Sequence, residues 1–177
     1  MLNIVMIQFA VHRFGIFIWI LILAFFSSTV LLAQQLSNIP QPKLPQIGFT
    51  LGSKVFALEV AVAEMQIMVG LMGRTSMEDH EGMIFIFPDQ RARGFRMNSC
   101  LFDLDALFVN SKGTIVAIQE MKASLDGKSS VLYIAPNTTR YVIEVKRGVA
   151  QSLGLYQGMQ LSLPETIRDF ALLKRAD

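Results

Sequence analysis

The stretch FGIFIWILILAFFSSTVLLA, residues 14–33, sets the strongest limit on what this chain can become. No charged residue occurs in it, and the charge-free region runs on to Pro42. Twenty helical residues at about 1.5 Å each cover roughly 30 Å, the hydrocarbon thickness of a bilayer. His12 and Arg13 precede the stretch. A basic flank of this kind stays cytoplasmic under the positive-inside rule. The remainder of the chain is therefore expected outside the cytoplasm, as an exported, periplasmic or extracytoplasmic domain. Two forms deliver it there. In the first, residues 1–33 are a signal peptide cleaved after Ala33, whose small side chain suits that position, although Leu31 is large for the usual pattern. In the second they are an uncleaved anchor in the inner membrane, as the length of the apolar core favours. A buried core helix of a soluble protein is the plainer alternative. No lipobox cysteine is present, so lipid anchoring by that route is excluded.

Residues 34–46 carry Pro40, Pro42 and Pro45. Proline at this density blocks helix and favours an extended spacer, so the segment reads as a linker. The domain itself is expected over residues 47–164, with a helix or tail over 165–177. The chain is 52% hydrophobic, but much of that excess lies in the N-terminal stretch. Net charge is +2, and the Lys and Arg residues are scattered. A nucleic-acid partner would call for a basic stripe, and none is visible. Cys100 is the only cysteine, which excludes an internal disulfide and any multi-cysteine metal site.

Within the domain, Lys54–Ala63 is rich in Val and alternates weakly, as a strand does. Glu64–Met72 places Met65, Met68, Val69 and Met72 at helical spacing, and Gly73 can end that helix. Residues 83–88, MIFIFP, read as a buried strand ended by proline. Further strands are expected at Phe95–Asn98, Leu101–Val109, Thr114–Met121, Val131–Ala135, Arg140–Lys146 and Met159–Leu163. A short helix fits Gly148–Leu153. The predicted class is α+β and mostly antiparallel: a small, partly open barrel with two or three short helices, preceded by the hydrophobic N-terminal helix.

Several stretches are collinear with one family pattern. Gly70, Leu71, Met72 and Arg74 come first. Gly82, Met83, Phe85 and Phe87 follow, then Phe95 and Met97, Leu104 and Asp105. Tyr141, Val142 and Glu144 come next, and Gly148, Gly154 and Gly158 close the series. Over residues 54–163 this order and spacing resemble the domain of unknown function 192 family. The resemblance implies a compact β-rich fold and, commonly, export; it implies no established activity. The chain departs from the pattern at Arg96, where the family has Trp, and at Ser99 and Cys100, where it has Asn-Thr. Asp103 replaces a Pro, and Met159 sits where an Asp often follows the last glycine.

Polar and thioether residues supply the candidate chemistry. Alternation puts Asp103 and Asp105 on one side of a strand, about 6.6 Å apart along it. Such a pair can hold a hard cation or divide into acid and base. The plainer reading is that Asp105 caps a turn or pairs with an arginine such as Arg74, and that Asp103 is solvated. Met72, Met83, Met97 and Cys100 present donors that copper(I) accepts, against the ordinary use of Met as a core filler. His80 lies among acidic residues in a polar loop, and one histidine does not make a Ser-His-Asp triad. The leading expectation is a non-enzymatic module that binds a small ligand or a protein partner through Arg74, Met97, Asp105 and Glu144. No catalytic residue, metal or cofactor is assigned, and no nucleic-acid partner. The membrane is a partner through residues 14–33 if they are retained. The alternatives are a hydrolase-type enzyme using Asp105 with Glu144 or Asp103, and a metal-handling protein using the Met and Cys set.

Overall fold

The computed structural model describes residues 39–124 and 131–168. The expected membrane segment at 14–33 and the end of the expected C-terminal helix lie outside those residues. Eight strands and two short helices follow in order: β1 (Gln46–Leu51), β2 (Lys54–Ala61), α1 (Glu64–Val69), β3 (Glu81–Ile86), β4 (Arg93–Phe95), β5 (Leu104–Val109), β6 (Ile115–Met121), β7 (Tyr133–Ala135), β8 (Tyr141–Lys146) and α2 (Val149–Ser152). Six strands form one sheet in the order β1-β2-β3-β8-β5-β6, and β4 pairs with β7 in a separate ribbon.

The sheet is mixed. β2 and β3 run parallel, and the other pairs are antiparallel. A parallel pair cannot be closed by a hairpin; it needs a crossover, here α1 and the loop that follows it. β1 and β6 stand at opposite ends of the strand order and do not pair, so the mixed sheet is not a closed barrel. The mostly β architecture with few short helices is as expected.

Both faces of the sheet are covered. On one, Phe49, Phe56, Leu58, Ile84, Leu107 and Ile143 pack under Ala150, Leu155, Leu161, Leu163 and Ile167. On the other, Met83, Phe85, Leu104, Ala106, Phe108 and Val142 lie under Leu71, Met77, Met97, Cys100 and Ala135. Two covered faces explain why β3, β5 and β8 read as continuous apolar runs rather than as clean alternation.

Several boundaries differ from expectation for identifiable reasons. α1 stops at Gly70, not Gly73, because Gly70 takes φ 51° and leaves the helix three residues earlier. Its first turn is capped by Gln66, whose Oε1 accepts from the N–H groups of Val62 and Ala63 at 3.1 and 3.0 Å. β1 was not anticipated as a strand, since it emerges directly from the proline-rich run. The expected strand at 159–163 is reduced to one bridge between Thr114 and Gln160. Part of the expected linker is bonded to the domain. Gln41 Nε2 donates to the carbonyls of Gln66 and Gly70, the Leu44 N–H donates to Glu59, and Lys43 pairs with Glu81.

Candidate functional site

The site is a cavity of about 740 Å³ between the second sheet face and the layer formed by α1, β4 and the segment after β4. Phe85 and Phe87 come from β3 and its end, and Phe95 from β4. The Phe95 ring meets Phe85, Phe87 and Phe108 edge-on at 5.9, 6.4 and 5.7 Å between centroids. Edge-to-face packing of this kind fixes ring orientation. Ile67, Met68, Leu71 and Met72 line the α1 side, Met97 and Cys100 the segment after β4, and Leu132 the segment before β7. Apolar side chains also stand exposed around this region: Met65 and Met68 on α1, and Leu132 and Ile134 near the ribbon.

Glu144 is the polar residue of the interior. Strand β8 alternates, so Ile143 and Val145 enter the first core while Val142 and Glu144 face the second. In register, Glu144 lies between Met83 on β3 and Ala106 on β5. Neither neighbour offers a polar side chain. The residue is 5% exposed, lines the cavity, and receives no hydrogen bond or ion pair among the described residues. Burial alone pushes its carboxyl from the ordinary 4.5 up to about 8. At neutral pH it is a protonated acid aimed into an apolar space.

The other buried carboxylates, Glu59 and Asp105, are answered. Glu59 stands one strand beyond Met83 in the same row as Glu144. Two strand spacings place their backbones about 10 Å apart. Glu59 accepts from both terminal nitrogens of Arg74, at 2.5 and 2.8 Å, and from the Leu44 N–H at 2.7 Å. Burial raises its pKa, but the Arg74 and Leu44 hydrogen bonds outweigh burial and hold it below the ordinary value. Asp105 faces the opposite side of the sheet. Its Oδ2 accepts from Gly148 N and Ala150 N, each at 2.9 Å, and Arg147 lies 3.8 Å from Oδ1. Asp103 precedes β5, accepts from Ala123 N and pairs with Lys122.

Of the four residues singled out from the sequence, the structure brings Met97 and Glu144 to one cavity. It puts Arg74 in a buried ion pair with Glu59, and Asp105 under the N-terminus of α2. Asp105 and Glu144 do not form an acid–base pair, because adjacent rows of a sheet place them on opposite faces; the Asp103 carboxylate is taken up by Lys122 and Ala123 N, and that of Asp105 by Gly148 N and Ala150 N. The candidate copper donors also divide. Met72, Met97 and Cys100 line the cavity, whereas Met83 is fully buried and does not. Burial first, and then the charge of Glu144, push the Cys100 thiol up to about 12, so it is not a reactive thiolate at neutral pH. No group of three His, Cys, Asp or Glu side chains suited to a metal occurs among the described residues. Phe85, Phe87, Phe95 and Leu132 were not anticipated as lining residues; the signal was the F-x-F run, which reads equally well as plain core.

At the mouth, Arg93 stacks over Phe87 with its guanidinium carbon 3.9 Å from the ring centroid and pairs with Asp89. Arg91 also approaches Asp89, at 3.6 Å. Arg96 lines the same rim and is already engaged. Glu64 completes the charged residues of the rim.

The mixed six-stranded sheet, the covering ribbon and the cavity between them define a small, β-rich domain. The chain belongs to the domain of unknown function 192 family, described as an uncharacterized ACR, whose pattern matches residues 48–163. Two solved structures share the fold. One, from Sinorhizobium meliloti, is a proposed transcription regulator at 29% identity and a TM-score of 0.59, covering 66% of this chain and 91% of that one. The other, from Novosphingobium aromaticivorans, is a protein of unknown function at 24% identity and a TM-score of 0.58, covering 72% and 96%. No curated protein matches the chain.

Proposed function

We propose that this chain is a non-enzymatic binding module, held or released outside the cytoplasm, that takes a small ligand with an apolar body into the cavity beneath β4. One observation carries the reading: a buried, partnerless carboxyl, Glu144, faces a cavity of about 740 Å³. That volume lies within the range of small-molecule sites, which pair apolar walls with a few placed polar groups. A polar group buried without a partner is costly, and cores rarely keep one unless something outside the fold uses it. A hydrolase would need a second carboxyl beside Glu144, and Asp105 lies on the other face of the sheet.

Methionine methyl groups test the binding directly. In the full chain labelled with ¹³C-methyl methionine, 4-phenylbutanol is expected to shift Met68, Met72 and Met97 saturably. Met121 and Met159, which do not line the cavity, are expected to stay fixed. Shifts spread evenly over all five, or none at the cavity methyls, would contradict the reading.

Export rests on the uncharged stretch at 14–33 and the basic residues before it. Alkaline phosphatase fused after Asp177 is expected to be active, and inactive once residues 14–33 are deleted. Activity that survives the deletion would place the domain outside by another route.

A further inference from the structure

The cavity is unusual in its charge pattern. Its cations stand at the mouth: Arg91 and Arg93 share the single carboxylate of Asp89, and Arg96 is engaged. Its unmatched ionisable group is an acid at the floor. The rows beside Glu144 hold Met83 and Ala106, and Cys100 is the other titratable group of the interior, protonated throughout the neutral range. The rim adds Glu64. An anionic ligand would find cations only at the mouth, and at the floor it would oppose ionisation of Glu144. A neutral hydroxyl or carbonyl would gain one ordinary hydrogen bond from the protonated acid. An ammonium group gains more. It turns that contact into a charge-assisted hydrogen bond, roughly twice the strength of a neutral one. It also meets the negative faces of aromatic rings, which attract cations.

We infer that the cavity selects a primary amine carrying an apolar body, its ammonium paired with Glu144 and its body against Phe85, Phe87, Phe95 and Met97. The inference rests on the cavity being a ligand site and adds the class of ligand. The charge balance is simple. The free protein holds Glu144 as the acid, and the amine arrives as R–NH₃⁺. Binding forms the carboxylate–ammonium pair and releases one proton to solvent. Affinity for the amine therefore rises with pH until Glu144 ionises on its own, then levels off. Raising the pH from 6 to 8 strengthens binding about fifty-fold for a group that titrates near 8.

The test compares three ligands with one body: 4-phenylbutylamine, 4-phenylbutanol and 4-phenylbutanoate. Each is titrated into the methionine-labelled full chain at pH 6 and pH 8, with dissociation constants read from the Met72 and Met97 methyl shifts. The amine is expected to bind tightest at pH 8, to weaken about fifty-fold at pH 6, and to lose both its preference and its pH dependence in Glu144→Gln. The alcohol is expected to bind more weakly, equally at both pH values, and to be unaffected by the substitution. Unchanged Met121 and Met159 signals in Glu144→Gln show that the fold is intact. If the alcohol or the carboxylate binds as tightly as the amine at pH 8, or if amine affinity is flat with pH, the amine inference is overturned while the cavity reading stands. If none of the three moves the cavity methyls, both are overturned.

Discussion

At the scale of single residues, three buried carboxylates show what a sheet does with acids. Glu59 has an arginine and a backbone N–H. Asp105 has two backbone N–H groups and an arginine nearby. Glu144 has neither. Their effects on stability therefore run in different directions. Glu59 titrates below its ordinary value in the folded state, so it stabilises the fold above the unfolded pKa of 4.5 and loses that contribution as the pH falls through its folded pKa. Glu144 titrates above its ordinary value. It is neutral in both states below 4.5. Between 4.5 and about 8 the unfolded chain gains an ionised carboxylate that the folded chain does not, so stability falls as pH rises through that window. Glu144 and Arg74 stand at positions of the family pattern, whereas nothing in the sequence marks Glu59. Nothing in their spacing said that Arg74 would reach across to Glu59 instead. That choice is made by strand order, which puts Met83 between the two glutamates.

At the scale of elements, Asp105 joins α2 to the sheet. A four-residue helix cannot hold itself together, and its first N–H groups need acceptors from outside. Asp105, reaching from the start of β5, supplies one for Gly148 and Ala150 at once. Asp105→Ala is expected to lower stability by about 2–4 kcal/mol, because it leaves those two backbone donors unanswered, while Arg147 keeps its pair with Glu120. Asp105→Asn keeps one acceptor oxygen and is expected to cost less. Urea unfolding midpoints check both, and equal losses would show that charge rather than capping holds the helix. Gly82 has a comparable place in β3. A Cβ there would stand 2.7 Å from the carbonyl oxygen of Glu144 and from Leu58, so the family glycine permits close strand approach. Most of the strands were legible from alternation and β-branched content. β1 was hidden by the prolines before it. The parallel pairing of β2 with β3 was hidden because alternation reports which face a side chain takes and not which strand lies beside it. Short apolar runs such as MIFIFP also look alike whether they line a cavity or fill a core.

At the scale of the whole molecule, the two faces of the sheet divide the work. One face carries a closed core finished by α2 and the C-terminal segment, and Asp105 belongs to it. The other carries a cavity instead of a complete core, and Glu144 and Met97 belong to that. The sequence pointed to polar residues worth following, but convergence on a site is a property of sheet faces and crossovers. The stability of the full chain against pH brings the account to one comparison. Urea midpoints of the native protein and of Glu144→Gln are measured from pH 4 to pH 9 in the same lipid or detergent. A partnerless acid predicts near-equal stability at pH 4, with the Gln variant gaining steadily between pH 4.5 and 8 and holding a constant advantage above that. A variant that stays level with the native protein throughout, or falls below it as the pH rises, would mean that Glu144 is ionised and paired within the fold. The cavity would then have no acid to offer a ligand.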